Sequence, residues 1–296
     1  MAEHTSGKSD LLSETRVAIM GLGLMGGSLA LAIKGRCALL MGVDPDRSTR
    51  SLAQELGIFD QISADPADIL PQSNLVILAA PVCTIIHLIQ VLPRLHPGSA
   101  VVLDIGSTKG AITRAMDLLP TRFSPIGGHP ICGKTSHSLA NADPSMYLDS
   151  PFVLTPLPRT SKYTRALTEQ LVSEIGSRPI WLSAEDHDRW VAVTSHLPYL
   201  LANALISISP DEAVGLIGPG FRSATRLANS STIMMLDILK TNRENILQTL
   251  SLYRDRLNSL EEILESGQDA ALEQVLDNGL ARHTDLVRTN TEGETP

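Results

Sequence analysis

The chain has 296 residues, of which 43% are hydrophobic and 19% charged, and a net charge of −8. At roughly 100–200 residues per domain this length predicts two domains, large enough to bury a core without disulfide or metal staples. The acidic balance excludes a general nucleic-acid or membrane-surface binder, which needs a basic excess to meet phosphate, but leaves room for a local cationic pocket.

Cys37, Cys83 and Cys132 are odd in number and show no CxxC spacing, so neither a disulfide framework nor a metal site is expected. Residues 1–10 are polar and lack a signal-peptide core. No apolar run reaches the roughly 18 residues of a membrane span. A cytoplasmic protein is expected, with residues 1–13 disordered.

The run Arg16-Val17-Ala18-Ile19-Met20 stops at glycine and reads as a buried parallel strand. A helix over 27–33, a strand over 38–43 ending at Asp44, and a helix over 47–56 follow. Further strands are predicted at 75–80, closed by Pro81, at 100–104, 123–126 and 151–155, and helices at 83–92 and 163–175. After a last strand at 179–182, Ser183 is placed to cap a helix with Asp186 at its third position. Beyond it only helices are predicted, at 184–208, in pieces over 231–265, and at 268–287. Strand–helix alternation signals an open, mostly parallel sheet. The predicted fold is therefore an α/β Rossmann-type dinucleotide-binding domain over 14–183, followed by an all-α domain over 184–288. Residues 289–296 are expected to be disordered.

Gly21-Leu22-Gly23-Leu24-Met25-Gly26 lies between the first strand and the first helix, the context that makes this glycine pattern specific. Gly21 suits the tight turn, Gly23 the approach of the pyrophosphate, and Gly26 close packing of helix on strand. The helix N-terminus offers free N–H groups to the phosphates. Asp44 ends the second strand, 23 residues after Gly21, where an acidic residue accepts hydrogen bonds from a ribose 2′-hydroxyl. This favours NAD over NADP, while Arg47 and Arg50 nearby keep NADP open as an alternative. Pro81 is counted with this cofactor site.

A cofactor fold does not name a substrate. Ligands in open sheets sit beyond the carboxyl ends of the strands, which singles out Pro81, Gly106-Ser107-Thr108-Lys109 and Gly127-Gly128-His129-Pro130 as loops. His129, between a glycine pair and a proline, is placed to accept a hydroxyl proton. Lys109 reads either as a solvated loop lysine or as a source of positive potential. Ser195 and Tyr199, four apart, share a helix face, whereas His196 points about 100° away and reads as structural, bonding a carbonyl. Pro198 is expected to kink that helix. His187 reads as a packing or capping residue. Arg222 and Arg226 are also four apart.

The ordered set of Gly21–Ala30, Asp104-Ile-Gly-Ser-Thr-Lys109, Gly127-Gly-His-Pro-Ile-Cys-Gly133, Asp186-His-Asp188, Ser195-His-Leu-Pro198 and Gly220–Arg226 resembles the prephenate/arogenate dehydrogenase family of tyrosine biosynthesis, over about residues 14–265. The resemblance implies oxidative decarboxylation of a cyclohexadienol with hydride transfer to NAD(P)⁺. It assigns His129 and Ser107 to the ring 4-hydroxyl, and Arg226 to a substrate carboxylate. Ser195, Tyr199 and Thr135 are placed near the substrate. It also implies a homodimer, which the thin helical domain suggests independently. Many prephenate-using members carry a histidine where this chain has Tyr199, an acidic residue at Thr135 and a tryptophan at Met235. These departures leave prephenate and arogenate both open, with prephenate preferred. No fused mutase or C-terminal regulatory domain is expected. A β-hydroxyacid dehydrogenase is the distant alternative, but it needs a lysine on the first helix of the second domain, and 184–208 contains none. A non-catalytic NAD sensor is the third reading, disfavoured by His129, Ser107 and Arg226 occurring together.

Overall fold

The computed structural model describes residues 10–133 and 138–292. Residues 1–9 and 293–296, within the expected disordered tails, lie outside the described residues, as does Thr135. The described parts of both tails correct the expectation. Leu12 is fully buried, and the N–H groups of Leu11 and Leu12 donate to the Gln170 side chain, so an apolar pair anchors the chain from Asp10 on. At the other end the last helix continues to Glu292.

The α/β part runs β1 (Arg16–Met20), α1 (Leu24–Ile33), β2 (Leu39–Val43), α2 (Arg47–Glu55), β3 (Gln61–Ser63), α3 (Pro66–Ile69), β4 (Leu75–Leu78), α4 (Val82–Leu95), β5 (Ala100–Asp104), α5 (Gly110–Asp117), β6 (Phe123–Pro130), β7 (Pro151–Pro156), α6 (Lys162–Glu174) and β8 (Arg178–Trp181). The sheet order is β3-β2-β1-β4-β5-β6-β7-β8. All pairings are parallel except β6 with β7. Alternate residues of the central strands feed two cores. Val17, Ile19, Ile77 and Leu103 pack with Leu29 and Ile33 of α1 on one face. Ala18, Met20, Val76 and Val102 pack with Ile85 and Ile89 of α4 and Ile112 of α5 on the other. Burial on both faces explains the unbroken apolar runs of β1, β4 and β5.

Chain direction reverses its lateral progress between β1 and β4, where open sheets bind ligands. Gly21 turns there with φ +97, a conformation that disfavours any Cβ. Several elements were not foreseen, among them α3, β3, α5 and, in the helical part, a helix over Pro219–Thr225. β3 is a short, mostly polar edge strand. α5 has no local side-chain cap. The predicted loop 127–130 is also strand: β6 runs through Pro130, and its Gly127–Pro130 end pairs antiparallel with Phe152–Thr155 of β7.

The helical part begins with α7 (Ala184–Val191), capped as expected by Ser183, whose Oγ accepts from Asp186 N–H at 3.0 Å. A π-turn over Ala192–His196 leads into α8 (Leu197–Ser207). The wide turn meets the demand of Pro198, which lacks an N–H and crowds the carbonyl four residues back in a regular helix. Then come α9 (Pro219–Thr225), a 3₁₀ turn (Arg226–Asn229), α10 (Thr232–Thr241), α11 (Arg243–Glu265) and α12 (Asp269–Glu292). By packing, the chain forms two compact units, Met1–Ile246 and Leu247–Pro296. The second unit is the remainder of α11 together with α12, and carries exposed Leu252, Leu257, Leu264, Leu276 and Leu280. No described helix is long and apolar enough to cross a membrane.

Adjacent glycines of α1 make a graded test of this packing. A Cβ at Gly26 would lie 2.0 Å from the Gly21 carbonyl oxygen, whereas one at Gly27 would meet the Cδ1 end of Leu139 at 2.3 Å. Backbone cannot yield; a leucine terminus can rotate. Chemical denaturation should show Gly26→Ala destabilised by about 2 kcal/mol more than Gly27→Ala. Equal losses would contradict this packing.

Candidate active site

The glycine loop forms the first half of the site. Gly23 precedes α1 with no side-chain cap, and α1 has no acidic residue in its first turn, so its N-terminal N–H groups and positive dipole are left for an anion. Leu22 and Leu24 turn their side chains into the core, so only their backbone can face a cofactor. Met25 is half-buried and its carbonyl accepts from Tyr147 Oη at 2.8 Å. Asp44, half-buried at the end of β2, braces the loop: Oδ2 accepts from Leu22 N–H at 2.8 Å and Oδ1 from Asp46 N–H at 2.9 Å. Each carboxylate oxygen keeps a lone pair for a ribose hydroxyl. Arg50 is occupied, donating to the Asp44 and Pro45 carbonyls, and Arg47 is exposed. Pro81, exposed, precedes α4. Asp237 of α10 closes that helix, accepting from Cys83 N–H at 3.0 Å. Room for backbone approach, an uncapped helix start and a carboxylate 23 residues on together fit a dinucleotide.

The second half is built on β5 and β6. Asp104 ends β5 fully buried and accepts from the N–H groups of Gly106 and Gly128. Lys109, also fully buried, pairs with Asp104 and donates to the Gly128 carbonyl at 2.6 Å. Lys109 is thus neither a solvated lysine nor a surface cation. Burial pushes the Asp104 carboxyl up and the Lys109 ammonium down, each opposed by the partner's charge, so the pair adds no net charge. It clamps the peptide groups on either side of Gly128 and so holds the backbone of His129. Removing one member of such a buried pair costs about 3–5 kcal/mol.

The His129 ring is held separately. Its Nδ1 lies 2.8 Å from His187 Nε2, and His187 Nδ1 lies 2.8 Å from Asp188 Oδ1. Asp188 also accepts from Lys109 N–H at 2.7 Å and Gly110 N–H at 2.8 Å, supplying the cap that α5 lacks locally. Burial pushes His129 well below the ordinary histidine value, helped by the neighbouring His187, Lys109 and His196. Burial also lowers His187, against the pull of Asp188. For Asp188, burial acts upward but is outweighed by hydrogen bonds from His187, Lys109 and Gly110, so its carboxyl titrates below the usual range. At neutral pH the site therefore holds neutral histidines beside a carboxylate. His129 Nε2 has no hydrogen-bond partner among the described residues, and is left to receive a proton.

Ser107 is the only residue of the buried Ile105–Lys109 stretch that is partly exposed, and its hydroxyl bonds no described residue. Thr108 instead turns to Thr241 of α10, Oγ to Oγ at 2.8 Å. Ser195 is exposed, Tyr199 half-buried and His196 buried. His196 bonds a side-chain amide rather than a carbonyl: Asn242 Nδ2 donates to His196 Nδ1 at 3.1 Å and to the Asp188 carbonyl at 2.7 Å. Arg226 is exposed and has no partner among the described residues, whereas Arg222 donates to the Ile217 carbonyl. α8 packs against α9 and the 3₁₀ turn carrying Arg226. No described hydrogen bond or ring contact joins Ser107, Ser195, Tyr199 or Arg226 to His129. The partners of His129 in the structure are His187 and, through it, Asp188. Both lie in the Asp186-His-Asp188 stretch, but nothing in the sequence signals that a helix 58 residues on in the chain meets His129.

Dinucleotide-dependent dehydrogenases are built this way, with a glycine turn at the sheet's switch point and a proton acceptor beside the neighbouring strands. The chain belongs to the prephenate dehydrogenase family. Residues 29–181 match its nucleotide-binding domain and residues 183–278 its dimerization domain. Prephenate dehydrogenase of Bacillus subtilis is 30% identical over 78% of this chain and 65% of its own length. Cyclohexadienyl dehydrogenase of Zymomonas mobilis is 29% identical over 90% of this chain and 94% of its own. The crystal structure of Aquifex aeolicus prephenate dehydrogenase with hydroxyphenyl propionate and NAD⁺ superimposes with a TM-score of 0.85, at 30% identity, covering 93% of this chain and 99% of that one.

The buried histidines make stability depend on pH with a definite sign. His196, lowered by burial to about 4, stays neutral in the folded state after the unfolded chain has begun to protonate near pH 6.5. The unfolded state then binds more protons, so this contribution is complete above about pH 6.5 and is lost as pH falls toward about 4. It is on the order of 3 kcal/mol. The melting temperature should fall over that window, and fall less in His196→Gln. A melting temperature that rises on acidification would contradict this assignment.

Proposed function

We propose that the chain oxidises and decarboxylates prephenate to 4-hydroxyphenylpyruvate with NAD⁺, a step of tyrosine biosynthesis. The observation that carries the reading is His129: a half-buried imidazole whose Nδ1 is engaged by His187 and whose Nε2 bonds no described residue, on a strand two places from β4, which shares the switch point with the glycine loop. Bound NAD⁺ supplies the hydride acceptor. As hydride leaves ring carbon 4, the bond to the ring carboxylate breaks, CO₂ departs, and the freed electron pair completes the aromatic ring. Positive charge developing on the 4-hydroxyl oxygen strengthens the hydrogen bond its O–H donates to His129 Nε2, so this interaction favours the transition state over the ground state. Ser107, with its hydroxyl uncommitted, is assigned to the same oxygen. Arg226, an uncommitted guanidinium, is assigned to a substrate carboxylate, for which its planar fork is matched. Ser195 and Tyr199 are placed toward the substrate side chain. Thr135 belongs to the same proposal but lies outside the described residues.

Asp44 and the occupied Arg50 support NAD over NADP. A second reading, arogenate as substrate, draws on the Zymomonas relative, whose name covers cyclohexadienyl substrates. It also draws on Tyr199, which can bond either a pyruvyl or an amino-acid side chain. The cytoplasm, where NAD⁺ is held, is the location we propose.

Kinetics with prephenate and arogenate, each with NAD⁺ and NADP⁺, should give the highest kcat/KM for prephenate with NAD⁺. A higher value for arogenate would transfer the assignment to the second reading. His129→Asn should lower kcat by ~10²–10⁴, the scale of a general base, while Arg226→Ala should chiefly raise KM for the cyclohexadienol. Near-normal turnover in His129→Asn would remove the histidine from this role.

A homodimer is proposed as the assembly. The match of 183–278 to a dimerization domain supports it, as do the exposed leucines of α11 and α12. Light scattering at micromolar concentration should give twice the chain mass; a monomer would defeat the proposal.

A further inference from the structure

We propose that His187 is a positioning residue: with Asp188 behind it, it fixes His129 in the tautomer whose Nε2 is unprotonated. The inference rests on the reading of His129 as the proton acceptor and deepens it. A neutral imidazole carries one N–H, and which nitrogen holds it is set by its neighbours. Here the neighbours leave one solution. Asp188 takes N–H groups from Lys109 and Gly110, at 2.7 and 2.8 Å, and so is an ionised acceptor. His187 Nδ1, 2.8 Å from Asp188 Oδ1, must therefore carry the hydrogen and donate it. His187 Nε2 is then a lone pair. His129 Nδ1, 2.8 Å from that lone pair, must donate in turn. This leaves His129 Nε2 as an acceptor in the resting enzyme, before any substrate arrives.

The rings meet edge to face, with centroids 5.1 Å apart and planes at 71°, so one edge of the His187 ring addresses His129 and the opposite edge addresses the carboxylate. His187 is fully buried, so water does not compete for either bond. The other charged or titratable groups acting on His129 are Lys109, paired with Asp104, and His196, held by Asn242. None of them is hydrogen-bonded to its ring. Without His187 the His129 ring has no designated acceptor for Nδ1–H, and the Nε2–H form, which cannot accept from a substrate hydroxyl, becomes available.

The test reads the tautomer and the kinetics separately. ¹⁵N-histidine-labelled full-length enzyme at pH 8, without substrate, is examined by long-range ¹H–¹⁵N correlation, with His129 assigned by the signals missing in His129→Asn. The wild-type ring should show a protonated Nδ1 and an unprotonated Nε2, and His187→Leu should shift the ring toward Nε2–H. In kinetics His187→Leu should lose ~10–100-fold in kcat, the usual scale for removing the partner that orients a working histidine, with KM for both substrates little changed. His187→Gln, whose carbonyl oxygen can stand in for the Nε2 lone pair, should recover much of that loss. An Nε2–H tautomer in the wild type, unaltered kcat in His187→Leu, or no recovery in His187→Gln would overturn the proposal. If His187→Leu does not fold, the wild-type spectrum and the glutamine variant decide alone. Because the spectrum is read without turnover, a failed relay is distinguishable from a failed assignment of the reaction, which His129→Asn tests.

Discussion

The carboxylate of Asp188 closes the N-terminus of α5 by accepting from Lys109 and Gly110 N–H, and through its remaining lone pair it orients His187. One ionised group thus satisfies orphan helix donors and sets a chain of hydrogen bonds that ends at His129. It lies on α7, in the helical segment, while α5 and β6 belong to the sheet region. The site is therefore assembled only when α7 docks on the end of the sheet. Asn242, which binds the Asp188 carbonyl and His196, and Asp237, which closes α4, extend the same arrangement along α10. A carboxylate from the helical segment stands at the start of each of the two sheet helices that follow β4 and β5.

Beneath this interface the Asp104–Lys109 pair serves a different purpose. It is buried and internally neutralised, and its spare hydrogen bonds go to the peptide groups around Gly128. His129 is consequently restrained at two levels, backbone from below and ring from the side. Such a constraint suits a group whose work is to hold a proton acceptor in one orientation while charge develops on a substrate oxygen, since alignment supplied in advance need not be supplied during the reaction.

The glycine loop and the substrate end are organised by looser means. Asp44 braces the loop through backbone N–H groups while remaining partly exposed. Arg226, Ser195 and Ser107 stand without protein partners among the described residues. The rigid part of the site surrounds the proposed proton acceptor, and the open part carries the residues proposed for recognition.

Much of this was legible in the sequence. The apolar runs of β1, β4 and β5, the glycine turn, Asp44 at the end of β2 and the Ser183 cap are local patterns, each depending on residues within one turn or strand. His129 stood out at a strand end as a candidate proton acceptor, and the ordered motifs pointed to the family and through it to Ser107. What neighbours in the chain could not disclose were contacts between distant segments. α5 went unseen because its cap lies 78 residues away. Lys109 read as a loop lysine because its partner Asp104 sits across a turn that only the packed sheet buries. His187 read as a packing residue because a ring's tautomer depends on what stands opposite each nitrogen. The sequence by itself determined most of the elements and the glycine turn, since propensity, periodicity and capping act over a few residues. The tertiary structure alone decided which nitrogen of His129 is free, because burial and hydrogen-bond direction arise only when α7 is brought against β6.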